Sequence, residues 1–295
     1  MEIKTRFDGE TQKREYVELC EKEFSQKIND CANDLAQTEG LKFITLSGPT
    51  CSGKTTAAHI LVDEMNRLGK QVGVISIDDF YLERRVLDSR GKLDYDSVDT
   101  IDLELLKRVI DGLEDGESVR IPIYSFVTGE RTGFREYDGS HGITLFEGIQ
   151  AIYPEIRALF NKDDTRSVYI SVERGVSVNG IEVSSRTLRL FRRLVRDFAK
   201  RSSSPEFTLK LWESVSANED ASILPYKDES DYKIDSLMGY EISIIKEPLF
   251  KLLDMIGPNS TYFDYVQNIK KFFDGAETLS TAYLPENSLY REFVG

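Results

Sequence analysis

The chain has 295 residues, 40% hydrophobic and 11% aromatic, enough for a sizeable buried core, which excludes wholesale disorder. Its net charge of −13, from 51 acidic against 38 basic residues, excludes general nucleic-acid binding, because backbone affinity comes from Lys and Arg releasing counterions. Three cysteines (Cys20, Cys31, Cys51) and two histidines exclude a disulfide framework and a Cys/His zinc cluster.

The opening stretch, MEIKTRFDGETQKREYVELCEKEF, has no apolar core of the kind a signal peptide needs, and no later run is apolar enough to span a bilayer. The expectation is a cytoplasmic protein with neither membrane nor nucleic acid as partner. Residues 11–37 are expected to form a helix, because Val17, Cys20, Phe24, Ile28, Cys31 and Leu35 recur at three- and four-residue steps. From Leu41 the pattern alternates. LKFITLS is a buried strand, 54–68 a helix closed by Gly69, and QVGVISI (71–77) a second strand ending at Asp78 and Asp79. IDLELLKRVIDGLEDG reads as a helix, while ITLFEG (143–148), SVYISV (167–172) and YKIDS (232–236) read as strands before a helical end. Apolar strands separated by helices predict a parallel sheet covered on both faces. Residues 173–190, polar and glycine-rich in their first half, are expected to form an exposed excursion.

GPTCSGKTT carries the chemistry. Gly48, Pro49, Thr50, Cys51, Ser52, Gly53, Lys54 and Thr55 fit the P-loop pattern G-x-x-x-x-G-K-[ST], and Thr56 continues it into the helix. Glycines let backbone N–H groups wrap a phosphate, and the following helix adds its dipole. Lys54 would reach the β- and γ-phosphates, and the Thr55 hydroxyl would bind Mg²⁺. Asp78 and Asp79 follow a strand, where ligands of an open parallel sheet bind. An aspartate there accepts the proton of an attacking hydroxyl and helps hold metal. Glu147 ends another strand and supplies a second carboxylate for Mg²⁺. RTLRLFRRLVRDFAKR places Arg189, Arg193, Arg196 and Lys200 on one helical face, and a mobile arginine-bearing lid over about 185–203 is the expected role of this segment.

In this order the motifs resemble the uridine kinase/phosphoribulokinase family of P-loop kinases, from Lys42 to about Glu247. GPTCSGKTT is similar to its P-loop, SIDDFY to its Asp-x-Phe-Tyr segment, LDYDSVDTIDLELL to its sugar-binding segment, IPIYSFVTGER to the strand on the nucleoside, LFEGI to its metal-associated glutamate and RRLVRD to its lid helix. The resemblance implies ATP as donor, Mg²⁺, Asp78 as the acid near the acceptor hydroxyl, Asp96 and Arg193 at the ribose hydroxyls, and Tyr81 and Tyr95 beside the acceptor. It also implies Tyr124 and Phe126 against the base, and Arg196 and Arg201 at the donor phosphates. At the base the sequence departs: Gly129 stands where the nucleoside kinases keep a histidine, and Ser203 and Leu211 replace residues that read the pyrimidine. LWESV, ESDYKIDSLMGYEISIIKEPL and PENSLYREFVG extend the likeness to the kinase half of larger bacterial uridine-kinase-like proteins, whose N-terminal half resembles part of threonyl-tRNA synthetase.

The expected architecture is an α/β P-loop kinase of about five parallel strands over 41–256, with helical extensions over 1–40 and 257–295. The expected activity is transfer of the γ-phosphate of ATP to a hydroxyl of a small acceptor with a ribose-like diol, as in a uridine/cytidine kinase. A sugar, sugar phosphate or pantothenate-like alcohol stays open as acceptor, as does a nucleotide-binding regulator without transfer. Homo-oligomer formation also stays open.

Overall fold

The computed structural model describes residues 3–89 and 97–295. Its elements run α1 (Glu10–Gln37), β1 (Phe43–Ser47), α2 (Lys54–Arg67), β2 (Val72–Ser76), α3 (Arg84–Ser89), α4 (Leu103–Glu114), β3 (Val119–Ser125), β4 (Glu130–Tyr137), β5 (Ile143–Glu147) and α5 (Pro154–Arg157). They continue with β6 (Thr165–Ser171), β7 (Val176–Val178), β8 (Ile181–Val183), α6 (Ser185–Arg201), α7 (Pro205–Asn218), β9 (Tyr232–Asp235), α8 (Glu241–Leu253), α9 (Phe263–Phe272) and α10 (Arg291–Val294).

Five strands form one parallel sheet in the order β2-β5-β1-β6-β9. β1 and β5 are buried at every position, as a sheet covered on both faces requires. The period of two divides them between two cores: Ile44, Leu46, Ile143 and Leu145 face the helices α1, α2, α6 and α8, while Phe43 and Phe146 face α4 and the hairpin. The register sets Leu46 and Ser76 level with Glu147, so β1, β2 and β5 end together. β1 leads away across β5 to β2, and β5 leads back across β1 to β6, so their carboxyl ends open the crevice in which doubly wound sheets bind ligands.

The first helix buries Val17, Cys20, Phe24, Ile28, Cys31 and Leu35, the expected stripe. Burial pushes the Cys20 thiol up to about 11 and the Cys31 thiol to about 12, so both act as small hydrophobes. At the other end, Phe272, Phe273, Tyr290 and Phe293 are fully buried in the same core. The antiparallel pair β3–β4 was not anticipated as a hairpin, and the excursion after β6 contains a second one, β7–β8, with Val176 and Val178 buried.

The largest departure is α6. Most of this helix is core and not a solvated face: Leu188 to Val195 are buried, including Arg189, Arg192 and Arg193. The reason is charge pairing at long range. Arg192, with no exposure, donates through Nε and Nη2 to Glu241 Oε1 and Oε2 at 2.8 and 2.6 Å, and to the Ser236 carbonyl at 2.8 Å. Its guanidinium also lies 5.4 Å from the Tyr290 ring and 5.0 Å from the Phe293 ring. Arg189 donates to Glu219 Oε1 at 2.5 Å. Only the last turn of α6, with Lys200 and Arg201, is exposed.

Removing one partner of such a pair strands a buried charge. Glu241→Gln is therefore expected to lower stability by about 3–5 kcal/mol in denaturant unfolding, and a loss below about 1 kcal/mol would contradict the pairing.

Candidate active site

The P-loop leaves β1 at Gly48 and enters α2 at Lys54. A Cβ on Gly48 would lie 2.0 Å from the Ile170 carbonyl oxygen, so only glycine lets the loop pass β6. Gly53 holds φ +88°, the left-handed region that frees it to start the helix. Cys51 takes φ 58° without being glycine, a conformation that costs roughly 1–2 kcal/mol. Its carbonyl accepts from Arg192 Nη1 at 3.3 Å, and the Thr50 carbonyl accepts from Arg189 Nη1 at 3.1 Å. The buried arginines of α6 thus hold two carbonyls of the loop. The Cys51 side chain is itself buried, at 2% exposure.

Lys54 Nζ donates to the Pro49 carbonyl at 3.2 Å, folding back over the loop. Burial pushes its ammonium below the usual lysine value, against the opposing pull of Glu147, Glu292 and Asp78. Thr55 stands exposed on the first turn of α2. Glu147, 8% exposed, accepts from the Ser76 hydroxyl through Oε1 at 2.8 Å. Thr55, Asp78 and Glu147 are oxygen donors suited to Mg²⁺. Among the described residues no cluster of three or more His, Cys, Asp or Glu side chains forms an all-protein metal site.

A cavity of about 780 Å³ opens beside the loop, lined by Pro49, Thr50, Asp78, Tyr81, Phe126 and Arg193 together with Lys200 and Arg201. The two adjacent aspartates separate here. Asp78 lines the cavity, whereas Asp79 turns to the hairpin, accepting from the Tyr124 amide at 3.5 Å and facing Arg135 at 3.8 Å. Burial pushes the Asp79 carboxyl above its usual value despite those contacts. Tyr81, Tyr124 and Phe126 form an aromatic group with ring centroids 5.1 to 5.5 Å apart. Gln150, buried, donates to the Tyr81 hydroxyl at 2.8 Å. Arg193, Arg196 and Arg201 converge on the buried Asp197, at 3.1, 2.7 and 3.7 Å. The end of α7 and the π-helical turn that follows it, Glu219–Ile223, bring Asn218, Glu219 and Ile223 to the cavity wall.

The structure therefore gathers Asp78, Tyr81, Phe126, Arg193 and Arg201 around one space beside the P-loop. Tyr95 and Asp96 lie outside the described residues. Sequence reasoning missed Gln150, Glu219, Glu241 and the Leu289–Phe293 segment, whose roles arise from partners tens of residues away. A separate cavity of about 540 Å³, lined by Arg157, Lys162, Arg166 and Glu229, contains none of the motif residues.

The depressed Lys54 has a consequence in pH. Its charge is complete below its folded value and lost as pH rises through it. Triphosphate affinity measured by calorimetry is thus expected to fall on an alkaline limb lying below the ordinary lysine value of about 10.4, and affinity that stays flat up to about pH 10 would contradict it.

Comparison with known proteins places the chain. The model of the phosphoribulokinase/uridine kinase family matches residues 43–243. The inorganic pyrophosphatase TTM1 of Arabidopsis thaliana is 28% identical over 187 residues, 63% of this chain and 25% of that protein. The uridine kinase of Schizosaccharomyces pombe is 33% identical over 144 residues, 47% of this chain and 30% of that protein. The chain thus spans under a third of the length of these two relatives. A proposed fructose transport system kinase from Silicibacter sp. TM1040 shares the fold at TM-score 0.54 and 18% identity, covering 70% of this chain and 98% of that one. With the family model covering most of the chain, and a five-stranded parallel sheet carrying the P-loop, the protein is a P-loop kinase by fold and belongs to the phosphoribulokinase/uridine kinase family.

Proposed function

We propose that the protein transfers the γ-phosphate of ATP to a hydroxyl of a small ribose-bearing acceptor, as a uridine/cytidine kinase-like enzyme. The observation that carries this reading is the shared cavity, which Asp78, Tyr81 and Phe126 line together with the P-loop residues Pro49 and Thr50.

In this reading the triphosphate lies on the amides of Gly48–Thr56, with Lys54 at its β- and γ-phosphates. Thr55, Asp78 and Glu147 would hold Mg²⁺, directly or through water, and the ion would neutralise charge on the phosphates. Asp78 accepts the proton of the attacking hydroxyl. Arg196 and Arg201 meet the donor phosphates, and Arg193, with Asp96, orients the diol. Tyr81 and Tyr95 flank the acceptor, while Tyr124 and Phe126 offer a stacking surface to a base. No protein nucleophile is required, because positioning and charge stabilisation supply the catalysis.

A second acceptor class, a sugar, sugar phosphate or other non-nucleoside diol, is favoured by one feature. Gly129, Ser203 and Leu211 stand where the nucleoside kinases keep their base-reading residues, and Val127, Val215 and Ile223 give the cavity an apolar lining.

ADP release from Mg·ATP, measured against nucleosides, ribose, pentose phosphates and pantothenate, tests the reading. Uridine or cytidine is expected to stimulate release. Stimulation by another diol alone would move the substrate to the second class, and silence across the panel with ATP bound would point to a regulator. Asp78→Asn is expected to keep ATP binding and lower kcat by about 10²–10⁴. Full turnover by that variant would remove Asp78 as base.

A further inference from the structure

The segment after α9 returns to the phosphate loop. Leu289, Tyr290 and Phe293 have no exposure. The Leu289 side chain backs the P-loop turn so closely that a Cβ on Gly53 would lie 2.5 Å from its Cδ1. Tyr290 and Phe293 pack on Arg192, which itself holds the Cys51 carbonyl. This anchored turn carries Glu292, only partly buried, to the first turn of α2, where the Thr56 hydroxyl donates to its Oε2 at 2.9 Å. The Glu292 backbone is fixed in turn, since its carbonyl accepts from Lys200 Nζ at 2.8 Å.

A carboxylate at this place is notable because the N-terminal turn of a P-loop helix is where phosphate is bound. Here the protein's own anion takes the Thr56 hydroxyl. The same carboxylate acts electrostatically on Lys54, the side chain that reaches the phosphates.

We propose that the Leu289–Phe293 segment is part of the donor site and that Glu292 is a positioning residue within it, an internal anion that occupies Thr56 and lowers the affinity of the site for triphosphate. The proposal rests on the P-loop as the donor site. Leu289 and the two aromatic rings fix the segment, so Glu292 stays beside the phosphates when they bind. Thr56 must then exchange the carboxylate for a phosphate oxygen, or keep it while the two anions repel. Either way affinity falls, and the penalty grows with the number of phosphate charges.

Calorimetric titration with ATP, ADP and adenosine tests this on the wild type, Glu292→Gln and Lys54→Ala. Glu292→Gln keeps an oxygen for Thr56 and removes the charge. It is expected to bind ATP roughly five- to tenfold more tightly than wild type, ADP by a smaller factor, and adenosine within about twofold, with the gain shrinking at high salt. Its melting temperature without ligand is expected within about 2 °C of wild type, as for a partly exposed substitution. Unchanged or weaker ATP binding by Glu292→Gln, with wild-type binding intact and lost in Lys54→Ala, would overturn the Glu292 assignment alone. An equal gain for adenosine would overturn it as well, since no phosphate charge is then involved. ATP binding that does not depend on Lys54 would remove the donor-site reading and this proposal with it.

Discussion

A phosphate loop turns its amides inward, and its outward carbonyls then need donors of their own. Here two buried arginines meet that need. Arg189 holds the Thr50 carbonyl and Arg192 the Cys51 carbonyl, and each is neutralised by an acid from a distant element, Glu219 or Glu241. The left-handed Cys51 persists because this lattice over-determines it. Much of the architecture follows from keeping those charges dry and paired. α6 must enter the core, α8 must begin with Glu241 against Ser236, and the last residues must cover Arg192 with aromatic rings. A chain of net charge −13 thus keeps two buried arginines, each paired with an acid, behind its P-loop.

The same helix divides its arginines by depth. Arg189 and Arg192, fully buried, serve the loop, while Arg193, Arg196 and Arg201 share Asp197 at the cavity edge. A single carboxylate against three guanidiniums leaves that edge net positive, which suits a donor whose phosphates carry several charges. The neighbouring Asp78 and Asp79 show a comparable division by direction. One lines the cavity and the other ties the β3–β4 hairpin, so one strand end supplies both a carboxylate to the cavity and the support of the aromatic wall.

The sheet was legible because parallel strands buried on both faces read as short apolar runs, and each of the five falls within two residues of its expected bounds. The P-loop was legible because its glycines and lysine follow from phosphate geometry. The α6 segment was not. A run of arginines on one helical face looks solvated until its acids are known, and Glu219 and Glu241 lie 30 and 49 residues beyond Arg189 and Arg192. The hairpins escaped for other reasons: β3 contains Pro122 and a shift in register at Ile123/Tyr124, while β7 and β8 are too short for periodicity to show. Glu292 carried no signal at all, because only the fold brings it to Thr56.

The measurement that bears most directly on the account is phosphorus NMR of Mg·ATP incubated with the protein and an acceptor that stimulates ADP release. Direct transfer predicts a phosphomonoester resonance that grows in step with ADP, with inorganic phosphate held to a minor share. ADP appearing with inorganic phosphate alone would make the site a hydrolase and contradict the assignment of Asp78 and its cavity to an acceptor hydroxyl.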